Sequence, residues 1–147
     1  MKKASAWSLA LFGCLGLLGT APAWGALAPA LSEVRVFKVE SARCTETIPE
    51  RADSTRMCEH RGPAHVYVME VGLGNNPMAY LDGALLSGSR TPVCQVGSIS
   101  QVCNGTGTLM GYVYRFDVDL ESSATFQFSN TSINPPRNTL TTVLSIR

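Results

Sequence analysis

The chain has 147 residues, 45% of them hydrophobic and 16% charged, with a formal net charge of +1. That length suits one domain with one real core. The near-balance of charge leaves no basic field for nucleic acid or anionic lipid and no acidic field for basic partners.

Lys2 and Lys3 precede an apolar run from Leu9 to Leu18, followed by small residues and prolines. This is the layout of a secretory signal peptide, and its Lys-Lys-Ala start reads as bacterial. Ala21-Pro22-Ala23 and Ala28-Pro29-Ala30 both fit a small-x-small cleavage site. The expectation is a signal over residues 1–23, with cleavage as late as 30, and a single domain over 24–147. The apolar run is shorter than the roughly 20 residues that span a bilayer, so no transmembrane anchor is expected. Leu11-Phe12-Gly13-Cys14 loosely matches a lipoprotein cleavage site, but the phenylalanine is unusual there and the apolar run continues past the cysteine. The expected location is the periplasm or the exterior of a bacterium. Without Lys2 and Lys3, ten basic residues (nine arginines and Lys38) face eleven acids, a net of −1.

Glu33–Glu40, rich in branched residues around Val34, Val36, Phe37 and Val39, predicts the first strand. Ala42–Pro63 mixes charges of both signs with two prolines and reads as a long loop. Ala64–Leu73 is apolar on both faces, which predicts a central, covered strand. After the turn Gly74-Asn75-Asn76-Pro77, either Asn76 caps a short helix with Pro77 at its first position or Met78–Leu81 and Ala84–Leu86 pair through Asp82-Gly83, a tight-hairpin signal. The hairpin is preferred because Gly83 would weaken so short a helix. Thr108–Leu120 carries Met110, Tyr112, Tyr114, Phe116, Val118 and Leu120 on one face and a mostly polar set on the other. Ala124–Ser129 points Phe126 and Phe128 inward, and Thr139–Arg147 aligns Leu140, Thr142, Leu144 and Ile146. The expected fold is all-β, an antiparallel sandwich or small barrel of about seven strands.

Four cysteines follow the signal: Cys44, Cys58, Cys94 and Cys103. In an exported chain they imply two disulfides with three possible connectivities, of which Cys44–Cys58 with Cys94–Cys103 is favoured. Cys44–Cys58 would close a 15-residue loop, worth about 3 kcal/mol by chain entropy. Cys94-Gln95-Val96 nearly mirrors Gln101-Val102-Cys103. A four-residue loop from Gly97 to Ser100 would set Cys94 opposite Cys103, at a separation that suits a disulfide. Gaps of thirteen and eight residues between the paired cysteines do not match the short spacing of zinc sites, so no metal is expected.

Catalytic signals are thin. His60, in Glu59-His60-Arg61, is expected as a solvated loop histidine, and His65 as a half-buried strand residue. No serine sits in a Gly-x-Ser-x-Gly turn. A hydrolase would need His60 or His65 within hydrogen-bond reach of a serine and an acid. Asp117, Asp119 and Glu121 offer calcium-type ligands, but a straight strand spreads them about 7 Å apart, and wet-face charge pairing is the plainer reading. The short Gly72-Leu73-Gly74 and Gly105-Thr106-Gly107 segments lack a strand-to-helix setting for phosphates. Asn104-Gly105-Thr106 and Asn130-Thr131-Ser132 match a glycosylation acceptor, which in a bacterial chain reads as turn composition. No cofactor is implied.

Export, disulfides, a β scaffold and the missing catalytic set point to a structural or interaction protein: an accessory envelope or extracellular subunit, an adhesin-like module or an inhibitor. Its expected partner is another protein of the envelope or extracellular space. The expected contact surface is the Arg43–Arg61 loop with Arg51, Arg56 and Arg61, since function concentrates in loops on a rigid frame. A small-ligand or carbohydrate module using the Tyr112–Tyr114–Phe116 face is the alternative. A small secreted hydrolase is the third reading.

Overall fold

The computed structural model describes residues 29–147, and the expected signal peptide lies outside the described residues. Among the described residues ten strands form: β1 (Glu33–Ser41), β2 (Cys44–Thr47), β3 (Gly62–Val71), β4 (Met78–Leu81), β5 (Ala84–Leu86), β6 (Gly88–Val96), β7 (Ile99–Val102), β8 (Thr108–Leu120), β9 (Ala124–Thr131) and β10 (Thr139–Ile146). A six-stranded sheet, ordered β2-β1-β3-β8-β6-β7, packs on a four-stranded sheet, ordered β10-β9-β4-β5. All pairings between named strands are antiparallel. The all-β sandwich expected from the sequence is the fold, with ten strands instead of about seven. No helix among the described residues is long and apolar enough to cross a membrane.

Alternation decides what goes inside. The inner face of β8 contributes Tyr114, Phe116, Val118 and Leu120, and β9 answers with Phe126 and Phe128, all buried. The rings interlock across the sheets, Tyr114 to Phe128 at 5.0 Å and Phe116 to Phe126 at 5.5 Å between centroids. Each such phenylalanine contributes about 2–3 kcal/mol of burial. β3 is central, between β1 and β8, and turns Ala64, Val66 and Val68 inward. The broken alternation of Val36, Phe37 and Val39 is a β-bulge: the register shifts between Val36 and Lys38, so Val36 and Val39 both face the core.

The Asp82-Gly83 hairpin forms as expected, pairing Leu81 with Ala84. Asp82 at φ 48° and Gly83 at φ 83° supply the left-handed turn. Asp82 also accepts the Thr125 N–H at 2.7 Å, fixing the turn to β9. Gly72 is required by close approach: at φ +84°, any Cβ would collide with the Ala30 carbonyl. That contact belongs to the entering chain, where Leu73 N donates to the Pro29 carbonyl at 2.9 Å and Leu31 is buried.

Two local readings are corrected. The second hairpin turns on two residues, Gly97 and Ser98, because Val96 pairs with Ile99. Cys94 therefore faces Gln101, and Cys103 lies beyond the β7 end, its N–H donating to the Pro92 carbonyl at 3.0 Å. The Cys94–Cys103 disulfide forms diagonally, with a Cα separation of 4.9 Å. The Ala42–Pro63 segment is not a plain loop: it contains β2 and buries Ile48, Thr55 and His60.

Candidate functional site

The most elaborate local construction closes one end of the sandwich. A short turn at Ala42-Arg43 folds β2 back on β1, pairing Ser41 with Cys44 and Val39 with Glu46. Since Val39 faces the core, Glu46 does too, and it is only 2% exposed. Residues 48–61 then run as a strap under the sheets. Ile48 pins its start in the core. Farther along, Thr55 N donates to the Ser145 carbonyl at 2.9 Å and Ser145 N to the Asp53 carbonyl at 2.8 Å. Arg147 N donates to Thr55 Oγ1 at 2.9 Å, and His60 N donates to the Arg147 carbonyl at 2.6 Å. The Cys44–Cys58 disulfide, expected from the sequence, ties the strap to β2 across a Cα separation of 6.3 Å.

Beneath the strap lies a buried polar knot. The Glu46 carboxylate accepts the backbone N–H of Arg56 at 2.7 Å and of Met57 at 3.1 Å. His60, expected in solvent, is 0% exposed. The strap's fastenings on either side carry it inward, where its polar atoms must find partners. Nδ1 lies 3.0 Å from Ser41 Oγ, and Nε2 lies 3.5 Å from Glu46 Oε2 and makes no hydrogen bond. Ser41 Oγ also reaches the Cys44 carbonyl at 3.3 Å. The donor atoms of Glu46, Cys58 and His60 all lie within 4.8 Å of one another.

Ser41 thus meets the hydrogen-bond reach set for a hydrolase, whereas Glu46, 3.5 Å from Nε2 without a hydrogen bond, does not. Acyl transfer needs more, because the base must return its proton to a leaving group. A ring with no exposed surface offers substrate no face. The geometry favours a knot that holds the strap.

Outside the knot, the strap shows a different character. Arg51, Arg56 and Arg61 are exposed together with Arg43 and Glu59. Met57 is 78% exposed beside them. Arg56 lies 3.8 Å from Asp53 in a solvent-exposed pair that holds little energy. Ser41, Ala42, Arg43, Glu59, Arg61 and Gly62 border a surface hollow of about 570 Å³.

The other sequence candidates do not converge on this end. His65 is half-buried, as expected, and bonds Asp117 at 2.7 Å, while Arg115 Nε donates to the same oxygen at 3.0 Å. The His65 hydrogen bond, aided by the Arg115 charge, holds the Asp117 carboxyl below the ordinary range. Its ring and guanidinium partners match the charge-pairing reading of that acidic strand. In the aromatic row, Tyr114 and Phe116 are core residues, and the half-buried Tyr112 lies under the Arg90 guanidinium at 4.6 Å. The row builds the core.

Sequence reasoning missed Glu70 and Asn130, which are buried at the opposite end. Asn130 Nδ2 donates to Glu70 Oε2 at 2.5 Å, and Gly74 N donates to Glu70 Oε1 at 3.1 Å. Asn130 Oδ1 accepts Asn76 N and Thr131 N, each at 2.8 Å. Asn130, read as turn composition, is a strand residue of β9. The available signal was Glu70 sharing strand parity with Val66 and Val68, since a carboxylate on a core face requires partners. Tyr114 ends nearby with its hydroxyl unbonded; burial first, then the Glu70 charge, raises its pKa and keeps it protonated.

Fold and site define a disulfide-bonded antiparallel sandwich with one strapped end. The chain belongs to the family described as Domain of unknown function (DUF4879), whose model matches residues 21–146. No curated protein and no solved structure matches the chain.

Proposed function

We propose that the protein is an exported bacterial interaction protein, an accessory subunit, adhesin-like module or inhibitor, whose contact surface is the outer side of the strap. The observation that carries this reading is the contrast between the two sides of residues 48–61. The inner side is fastened by a disulfide, a buried carboxylate and the backbone of β10. The outer side presents Arg51, Arg56, Met57 and Arg61 to solvent. A connector needs no such fastening, whereas a contact surface gains affinity from being held in one shape before it binds. Arginine and methionine are also enriched at protein interfaces. The two disulfides are consistent with an oxidising, exported environment.

The test is native mass without reductant, in envelope and culture fractions of the host. The expected result is a complex larger than the monomer that is lost in the R51A/R56A/R61A variant while its melting temperature stays unchanged. A free monomer in both fractions, or a complex that survives the triple substitution, overturns the reading.

A further inference from the structure

The knot holds a second chemistry. Cys44-x-Glu46 and Cys58-x-His60 bring two half-buried sulfurs, a buried carboxylate and a buried imidazole to one place. We propose that, with the disulfide reduced to a dithiol, Cys44, Cys58, His60 and Glu46 form a four-ligand site for a divalent zinc-type cation, so that disulfide and metal are alternative closures of the same strap.

The donor set is the first argument. Two thiolates, one imidazole and one carboxylate are ordinary zinc ligands, and tetrahedral zinc places its ligand atoms roughly 3.3–3.8 Å apart. The donor atoms of Glu46, Cys58 and His60 already lie within 4.8 Å of each other, and Cys44 is bonded to Cys58. Side-chain rotation within the knot closes the remaining gap.

The second argument is His60 Nε2, a fully enclosed nitrogen with no hydrogen-bond partner, facing Glu46 Oε2 at 3.5 Å. When Ser41 donates its proton to the Cys44 carbonyl, Ser41 Oγ accepts from His60 Nδ1, and Nε2 carries a bare lone pair. Two lone-pair groups then face each other at 3.5 Å, which a cation bridges. Ser41 on the far ring nitrogen is the kind of second partner that orients a metal-binding histidine. Glu46 is oriented likewise, by the Arg56 and Met57 N–H groups.

The redox step balances with a dithiol reductant. The Cys44–Cys58 S–S bond breaks, each sulfur takes one electron and one proton, and the reductant's two sulfurs join as a disulfide. Zinc then displaces the two thiol protons and binds both thiolates.

The experiment uses the full chain, reduced anaerobically, with cobalt(II) as a visible stand-in for zinc. The expected result is one cobalt per chain with thiolate-to-metal charge transfer and a tetrahedral spectrum, displaced by zinc and absent from the oxidised protein. C94S/C103S leaves the spectrum unchanged; H60Q abolishes the tetrahedral signature. Ser41→Ala weakens zinc binding by about tenfold. If reduction melts the strand signal in circular dichroism, added zinc is expected to restore it. No thiolate spectrum, a spectrum indifferent to H60Q, or a reduced chain that zinc does not refold each overturns the site.

Discussion

Each end of the sandwich buries a glutamate, and the two are held by different kinds of partner. Glu70, on β3, is bonded by Asn130 from β9, so its carboxylate joins one sheet to the other. Glu46, on β2, is bonded by backbone N–H groups of the strap, so its carboxylate joins the strap to one sheet. Both are 2% exposed, so burial alone does not separate them. What they hold does. The Glu70 end is part of the global fold, and the Glu46 end is a local surface fastened onto it.

The largest expected effect lies at the sheet-to-sheet end. Glu70→Ala strands the buried Asn130 amide and leaves the part-buried Gly74 N–H without its acceptor, at a cost of about 3 kcal/mol. For a domain of this size that lowers the melting temperature by roughly 10 °C. Glu46→Ala is expected to lower it by less, because the strap can open while the two-sheet core stays intact. Thermal unfolding of the two variants, followed side by side, checks this. Equal losses would erase the distinction between the ends.

The Glu46 variant is expected to reveal itself locally. Arg51 and Arg56 are exposed trypsin sites on a segment that must detach to be cut. Releasing the Arg56 and Met57 N–H groups favours opening by about 2 kcal/mol. Since 1.4 kcal/mol is about tenfold in an equilibrium, native-state cleavage at these sites should rise more than tenfold. Glu70→Ala, compared at a temperature where both variants are folded, should change it far less. Cleavage that rises equally in both would mean the strap opens only with the whole fold.

This contrast also marks what could be read from the chain. Strands β8 and β9 were legible because Tyr114, Phe116, Phe126 and Phe128 alternate strictly with polar residues, the direct signature of a half-buried sheet. The disulfide partners were legible from spacing. The strap was not, because residues 48–61 carry no period; their burial comes from Thr55 meeting β10 and His60 meeting Arg147 just beyond it, some ninety residues away. His60 illustrates the limit: its neighbours Glu59 and Arg61 point to solvent and it points inward. Nothing local separates the three. Arg51, Arg56 and Arg61 were legible as an exposed set, while the knot that holds them was not.

The smallest effect is expected where charge pairing is plentiful and wet. Asp117 bonds His65 and Arg115 in the open, so solvent and salt screen the pair. Its folded pKa is lowered, from an ordinary value of 3.8, by the His65 hydrogen bond foremost. A lowered carboxyl contributes stability that is present above the unfolded pKa and is lost as pH falls through the folded one. Asp117→Asn should therefore melt slightly below the parent at neutral pH, with the gap closing in acid, from about pH 4 downward. Melting curves across that range, at low and physiological salt, check the sign. A gap that widens in acid, or one that matches Glu70→Ala in size, would place Asp117 among the groups that hold the fold. A small gap that closes leaves the two buried glutamates as the carboxylates on which the structure depends.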